Sequence, residues 1–302
     1  MAVSVDVHRG MEVAESLHPA FFTVGIHGHN DMPEDLLPAG VDRGSPDHIA
    51  FVTLTVSIDY QRNASALWES ARRTFEDSYT RYLFDFRALH ETPLSKVVAD
   101  VQRHQLSRKP QKDALIWRAI GVTFFEKWQG DPVAFLQDCG WEAPCVLERL
   151  GSDRHLEAGR LASDFPYLRG PKIGPLWLRM LRDNVSIDRL RHLERVPIPV
   201  DVHIARATLA VGVVRGSYSG SLGELFRIIR KAWFESVRGL RVGQREMIAL
   251  DVDEPLWHLS RYGCTNRHKQ TGQCPLLPTC EAREFCVQGR IRVESTHAEL
   301  DT

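Results

Sequence analysis

The stretch Cys264-Thr-Asn-Arg-His-Lys-Gln-Thr-Gly-Gln-Cys274-Pro-Leu-Leu-Pro-Thr-Cys280-Glu-Ala-Arg-Glu-Phe-Cys286 places four of the chain's six cysteines within 23 residues. Thiols this dense in sequence point to a metal centre. One alternative is a pair of disulfide-closed loops, but the N-terminus carries no secretory pattern, and thiols stay reduced inside the cell. Structural zinc is a second alternative, and it draws its ligands from paired C-x2-C knuckles. The spacings here, nine, five and five residues, contain no such knuckle. An iron–sulfur cluster is wider than a single ion and accepts longer loops between its thiolates. The spacing therefore favours a cluster over zinc, and zinc over unligated cysteines.

Outside this stretch the chain is ordinary for a globular protein. Its 302 residues are 43% hydrophobic and 25% charged, enough to bury one large core or two smaller ones. No apolar run approaches the roughly eighteen residues of a membrane span, so the cell interior is expected and a membrane partner is not. The net charge of -1 excludes a uniformly basic nucleic-acid binder. Local patches set the attraction to phosphate, however. Residues 221–250 carry six bases against three acids, and 261–290 five against two. On charge alone each patch also reads as a solvated face.

Upstream, residues 1–44 show no clear period, and His27-Gly-His29-Asn30-Asp31 forms a polar loop that could ligate a metal, line a pocket or only position itself through Asx-type bonds. Ser45-Pro46 is a helix start with a capping hydroxyl and proline at the first position. The following Asp47–Ser57 is apolar enough to be a deeply buried helix that breaks at Ile58-Asp59-Tyr60-Gln61. A second helix is expected over about 64–77, and amphipathic helical patterning continues to Gly151. Few segments alternate with period two, so the fold class is all-α. Further on, Arg169-Gly170-Pro171-Lys172-Ile-Gly174-Pro175 is a tight turn before an apolar helix. Val196-Pro-Ile-Pro-Val200-Asp201 is an extended approach to a helix starting at or after Asp201. A carboxylate there is ordinarily a cap, and it can also be a catalytic group.

The order of these pieces resembles the helix-hairpin-helix DNA glycosylases with a [4Fe-4S] cluster, of the endonuclease III and adenine-glycosylase type. In that family a Leu-Pro-Gly-Val-Gly-x-Lys hairpin precedes Val-Asp-Thr-His-x-x-Arg, and the cysteines run C-x6-C-x2-C-x5-C. Here Val200-Asp201-Val202-His203-Ile204-Ala205-Arg206 matches the Asp motif, the five-residue Cys280–Cys286 interval matches the last spacing, and Val56-Ser57-Ile58-Asp59 resembles the end of the family's early helix. The coverage is discontinuous, from about 45 to 288. Only one hairpin glycine stands in register, the interval from Lys172 to Asp201 is 29 residues, longer than in the family, and the first two cysteine spacings are enlarged. These departures mark a divergent branch whose base specificity does not carry over.

The resemblance implies two helical lobes with the hairpin and a C-terminal cluster loop. The expected division is an N-terminal segment, 1–44, packing on the cluster lobe, a helical barrel over 45–207 with the hairpin near 165–182, and a C-terminal lobe over 208–302 with its loop at 264–286. It implies a monomer acting on double-stranded DNA in the cytoplasm, nucleoid-associated in a prokaryote. Cys264, Cys274, Cys280 and Cys286 would be the cluster ligands, and Asp201 the catalytic carboxylate that stabilises an oxocarbenium-like sugar and orients water. Asp59, Tyr60 or Gln61 would fill the gap left by a flipped nucleotide. Arg169, Gly170 and Gly174 would meet phosphate, as would Arg267, His268 and Lys269. Lys172 is either a Schiff-base nucleophile, making the enzyme also an abasic-site lyase, or a phosphate contact, with Pro175 weighing toward the latter. Two other functions fit the same residues. One is a non-catalytic DNA-binding or damage-sensing protein in which Asp201 only caps a helix, and the other is a hydrolase of free nucleosides or nucleotides.

Overall fold

The structure, a computed structural model, describes residues 2–157, 159–268 and 270–302; Lys269 lies outside the described residues. The chain opens with a strand, β1 (Ala2–Val5), and a 17-residue helix, α1 (Val7–Thr23). Next come α2 (Pro46–Ser57), α3 (Ala64–Glu76), α4 (Phe86–Glu91), α5 (Leu94–Asp100), α6 (Pro110–Trp128), α7 (Pro132–Asp138) and α8 (Ala143–Ser152). A hairpin of β2 (Arg154–Glu157) and β3 (Arg160–Ser163) leads to α9 (Ile173–Asp183). The remainder holds α10 (Val202–Ala210), β4 (Val214–Ser221), α11 (Leu222–Ser236), the short pair β5 (Arg241–Val242) and β6 (Arg245–Glu246), α12 (Asp253–His258), β7 (Arg290–Val293) and β8 (His297–Asp301). The fold is predominantly helical, and it divides into two compact units, 32–195 and 1–31 with 196–302.

In the unit of residues 32–195, α2 is the central helix. Ser45 caps it by accepting from the His48 N–H, Pro46 stands at its first position, and every residue from His48 to Ser57 is buried. A helix apolar on all sides must be wrapped by others. Phe51 packs edge-on to Trp68 and Phe75, and Phe84 joins them to Trp117. A second aromatic run, Phe124, Phe135 and Trp177, reaches α9, whose Trp177 indole donates to Thr53 Oγ1 at 3.0 Å. Arg179, fully buried on α9, is ion-paired to buried Glu34. Burial pushes the Glu34 carboxyl up against the opposing pull of that guanidinium.

The other unit joins the start of the chain to its last third. Strands order β1-β4-β8-β7, all antiparallel, with Val5 opposite Val214, Tyr218 opposite Leu300 and Val293 opposite Ala298. Neither α1 nor this sheet was expected from the sequence; the strands are short, and β1 pairs with β4 across more than two hundred residues. Helix α10 is buried from Ile204 to Ala210 apart from Arg206.

Candidate functional site

In the unit of residues 32–195 the turn after α2 and the approach to α9 come together. Asp59 is buried, and its carboxylate takes the Lys172 ammonium at 3.1 Å, with a second bond from that ammonium to the Asp59 carbonyl at 3.2 Å. Asp59, expected with its neighbours to fill the gap left by a flipped nucleotide, is thus turned inward. Gln61 is exposed at φ +51°, and Tyr60 is half-buried. Lys172 is the residue before α9, and Pro175 sits in the first turn, where the backbone N–H groups have no helical partner to lose. The N–H groups of Arg169, Gly170 and Gly174 are spent on the carbonyls of Phe165, Tyr167 and Gly170. The anion contact expected of those amides is therefore not available, while the Arg169 side chain stands exposed.

Around Tyr60 the structure adds residues that the motifs did not reveal. The Tyr60 ring lies 4.8 Å from the Tyr167 ring, and Lys112 Nζ stands 5.0 and 4.5 Å from the two centroids. Lys109 Nζ is 5.3 Å from Tyr60 and donates to Gln61 Oε1 at 3.1 Å. The Tyr60 hydroxyl donates to buried Asp113, which also accepts from Ser107; burial first, and then this carboxylate, push the phenol upward. Tyr60 is therefore a fixed ring beside two cations, within the distance at which such pairs attract. Lys109 and Lys112 belong to a charged stretch that reads as a mere connection between helices. Its alternation with aromatics exists only in space.

In the other unit Asp201 is the N-cap of α10. Both cap bonds, from the His203 and Ile204 N–H groups at 2.8 and 3.0 Å, fall on Oδ1, and Asp201 is half-exposed. The carboxylate is thus held in one orientation by two backbone donors. His203 Nδ1 shares a hydrogen bond with Ser260 Oγ at 3.2 Å, and Arg206 donates to the same oxygen at 3.1 Å and to the Val293 carbonyl at 3.2 Å. Ser260 belongs to a π-helical turn, Leu259–Gly263, that delivers Cys264. Helix α10 is therefore tied directly to the entry of the cysteine loop. The polar loop at 27–31 packs on the same turn: His29 stacks on Tyr262 at 3.8 Å, and His258 Nε2 meets the Asp31 carbonyl at 3.2 Å.

All six cysteines are free of disulfides. Cys264, Cys274, Cys280 and Cys286 line one small cavity with Ala210, Val211, Leu259, Leu277 and Ala282. Burial pushes the Cys264 thiol up, and the neighbouring Cys280 and Cys286 add to it. Cys280 is pushed up to about 11, again by burial first. Crowded thiols in an apolar cavity become thiolates only when a cation supplies the countercharge, which is the donor set a thiolate-held metal centre requires. Arg267 is buried against this centre. Its guanidinium donates to Cys286 Sγ at 3.0 Å and to the Val287 carbonyl at 2.9 Å, so this side chain, expected to meet phosphate, is turned inward onto a cysteine. His268 remains exposed, its Nδ1 taking the Thr271 N–H.

No protein-family profile matches the chain, and no curated protein matches it in sequence. Among solved structures, a non-covalent endonuclease III–DNA complex matches with a TM-score of 0.52 at 13% identity, covering 93% of this chain and 98% of that one. The chain shares the fold of endonuclease III.

Proposed function

We propose that the chain is a DNA glycosylase that removes a damaged or modified base from duplex DNA by hydrolysis of the N-glycosidic bond. The observation that carries this reading is Asp201. Its cap bonds both load one carboxylate oxygen, which leaves Oδ2 oriented for another partner, in a fold shared with endonuclease III. A carboxylate fixed by backbone donors stabilises the oxocarbenium-like sugar without reorganising and orients the attacking water. The flipped nucleotide leaves a gap that Gln61 and the Tyr60 ring fill, while Lys109, Lys112 and Arg169 meet phosphate. A [4Fe-4S] cluster held by Cys264, Cys274, Cys280 and Cys286 supplies no chemistry to this reaction, and when bound it staples the loop. Through Ser260 and Arg206 that loop fixes α10, and so Asp201. The protein acts as a monomer, in the cytoplasm or on the nucleoid.

Lys172 has a different role. Its ammonium is committed to Asp59, and an amine must shed its proton before it attacks a sugar. We assign it to holding the Tyr60–Gln61 turn, and the reaction to water alone.

The test is a panel of duplexes, each with one altered base, run with the wild-type protein and Asp201→Asn. Abasic-site release by the wild type, lower by at least ~10²-fold in the variant with binding retained, is expected. Salt-dependent duplex binding without release, identical in both proteins, would replace the enzyme with a DNA-binding protein on this scaffold. Turnover of free nucleosides without duplex binding would replace it with a nucleoside hydrolase.

A further inference from the structure

His27 stands outside the four-cysteine pattern yet lies beside one of its members, Cys280. Its backbone lies in the left-handed region at φ +52°, inside a turn closed by reciprocal Ile26 and His29 backbone bonds at 2.8 and 3.0 Å. The His27 side chain is 10% exposed. Its own N–H donates to Glu281 Oε1 at 3.0 Å, and its Nδ1 lies 3.9 Å from Glu281 Oε2. Nε2 is buried with no hydrogen-bond partner among the described residues, and so is Glu281 Oε2. Nε2 points at Gly263, the residue before Cys264. A Cβ on that glycine would come within 2.4 Å of Nε2, so only glycine admits the ring. One ligand atom each from His27, Cys280 and Glu281 lies within 4.8 Å of the others.

A buried imidazole with an idle nitrogen is costly unless something occupies that nitrogen. Glu281 lies on the Nδ1 side of the ring, the side on which a metal-bound histidine keeps its carboxylate partner. Imidazole and thiolate both suit iron and zinc. The His29–Tyr262 stack anchors the loop to the turn that carries Cys264, so the ring is placed by two independent contacts.

We propose that His27 is a fifth ligand-capable side chain of the cysteine centre, oriented by Glu281 so that Nε2 can take the coordination position of Cys280. In that exchange the Cys280 thiolate leaves the metal with its electron pair, and the imidazole donates the Nε2 pair in its place. No electron is transferred and the metal count is unchanged. The centre would then survive oxidation or alkylation of Cys280, but not of Cys264. The inference rests on the metal-centre reading of the four cysteines, and it is independent of base excision.

Metal content tests it. Wild type, Cys264→Ala, Cys280→Ala, Cys280→Ser, His27→Phe and the double variant His27→Phe/Cys280→Ala are purified anaerobically, with iron, zinc and sulfide measured per chain and EPR spectra recorded after reduction. Both Cys280 variants should keep the wild-type metal content with an altered EPR signal, whereas Cys264→Ala and the double variant should lose the metal. Loss from both Cys280 variants, or retention in the double variant, overturns the proposal. A metal-free wild type would overturn the metal-centre reading and this inference with it. Base release, assayed separately, decides the glycosylase reading on its own.

Discussion

At Asp59 a single contact sets which way the side chain faces. The sequence places this acid at the turn that would enter DNA, and the structure closes it onto Lys172, leaving Gln61 outermost. The prediction for Lys172 follows from the same contact: borohydride in the presence of abasic or target duplex should trap no covalent adduct, and an adduct that disappears in Lys172→Ala would restore the lyase. His48 offers a prediction about pH. It is buried in α2, Nδ1 accepts the Gly44 N–H at 3.1 Å, and burial first, then Arg43, lower it from 6.5 to about 4. Below its ordinary value the unfolded chain takes up a proton that the folded chain refuses. The stability due to neutral His48 is thus complete above about pH 6.5 and is lost as pH falls toward about 4, with a slope of at most ~1.4 kcal/mol per pH unit. Thermal melts between pH 7 and 5 should flatten in His48→Asn; an unchanged slope would place the loss elsewhere. The burial of the helix that carries His48 was legible in its apolar composition, whereas the Asp59 contact was not, since its partner lies 113 residues away.

Among the elements, α2, α3 and α10 were readable because their caps and apolar periods are local: Ser45, Asn63 and Asp201 each accept from an N–H two or three residues on. The hairpin before α9 was readable as a turn, but the weight of its glycines was not. A Cβ at Gly170 meets nothing closer than the Tyr167 carbonyl at 3.7 Å, whereas at Gly174 it would lie 2.9 Å from Leu147 and 3.3 Å from the Leu168 carbonyl. Gly174→Ala should therefore cost about 1–3 kcal/mol in urea unfolding and Gly170→Ala much less. Equal costs would mean that the hairpin is governed by backbone freedom and not by its approach to α8. The π-helical turn at Leu259–Gly263 is likewise a tertiary feature, and no sequence signal announced it.

On the scale of the whole molecule, the sheet in the unit of residues 1–31 and 196–302 makes the extremities of the chain structural. Leu300, buried in β8 opposite Tyr218, should behave as a core residue despite its place two residues from the end. Leu300→Ala is expected to cost about 2–5 kcal/mol and to open this unit to limited proteolysis; a cost near zero would show the sheet to be dispensable. By the same logic, chelation of the proposed metal should loosen α10 through Ser260 and Arg206 and lower base release. Proteolytic protection of that helix unchanged by metal removal would break the link. What the sequence by itself determined is local: the helical class, the caps, the four-cysteine loop and the Val200–Arg206 motif, because helix periods and ligand spacings are written over a few residues. What only the tertiary structure decided is which distant groups meet. Strand β1 pairs with β4 across more than two hundred positions, Arg267 turns in to Cys286, Lys109 and Lys112 gather around two tyrosines, and His27 reaches Cys280 and Glu281. Such meetings depend on the burial of whole surfaces, and apart from Arg267 and Cys286 no short window of sequence contains both partners.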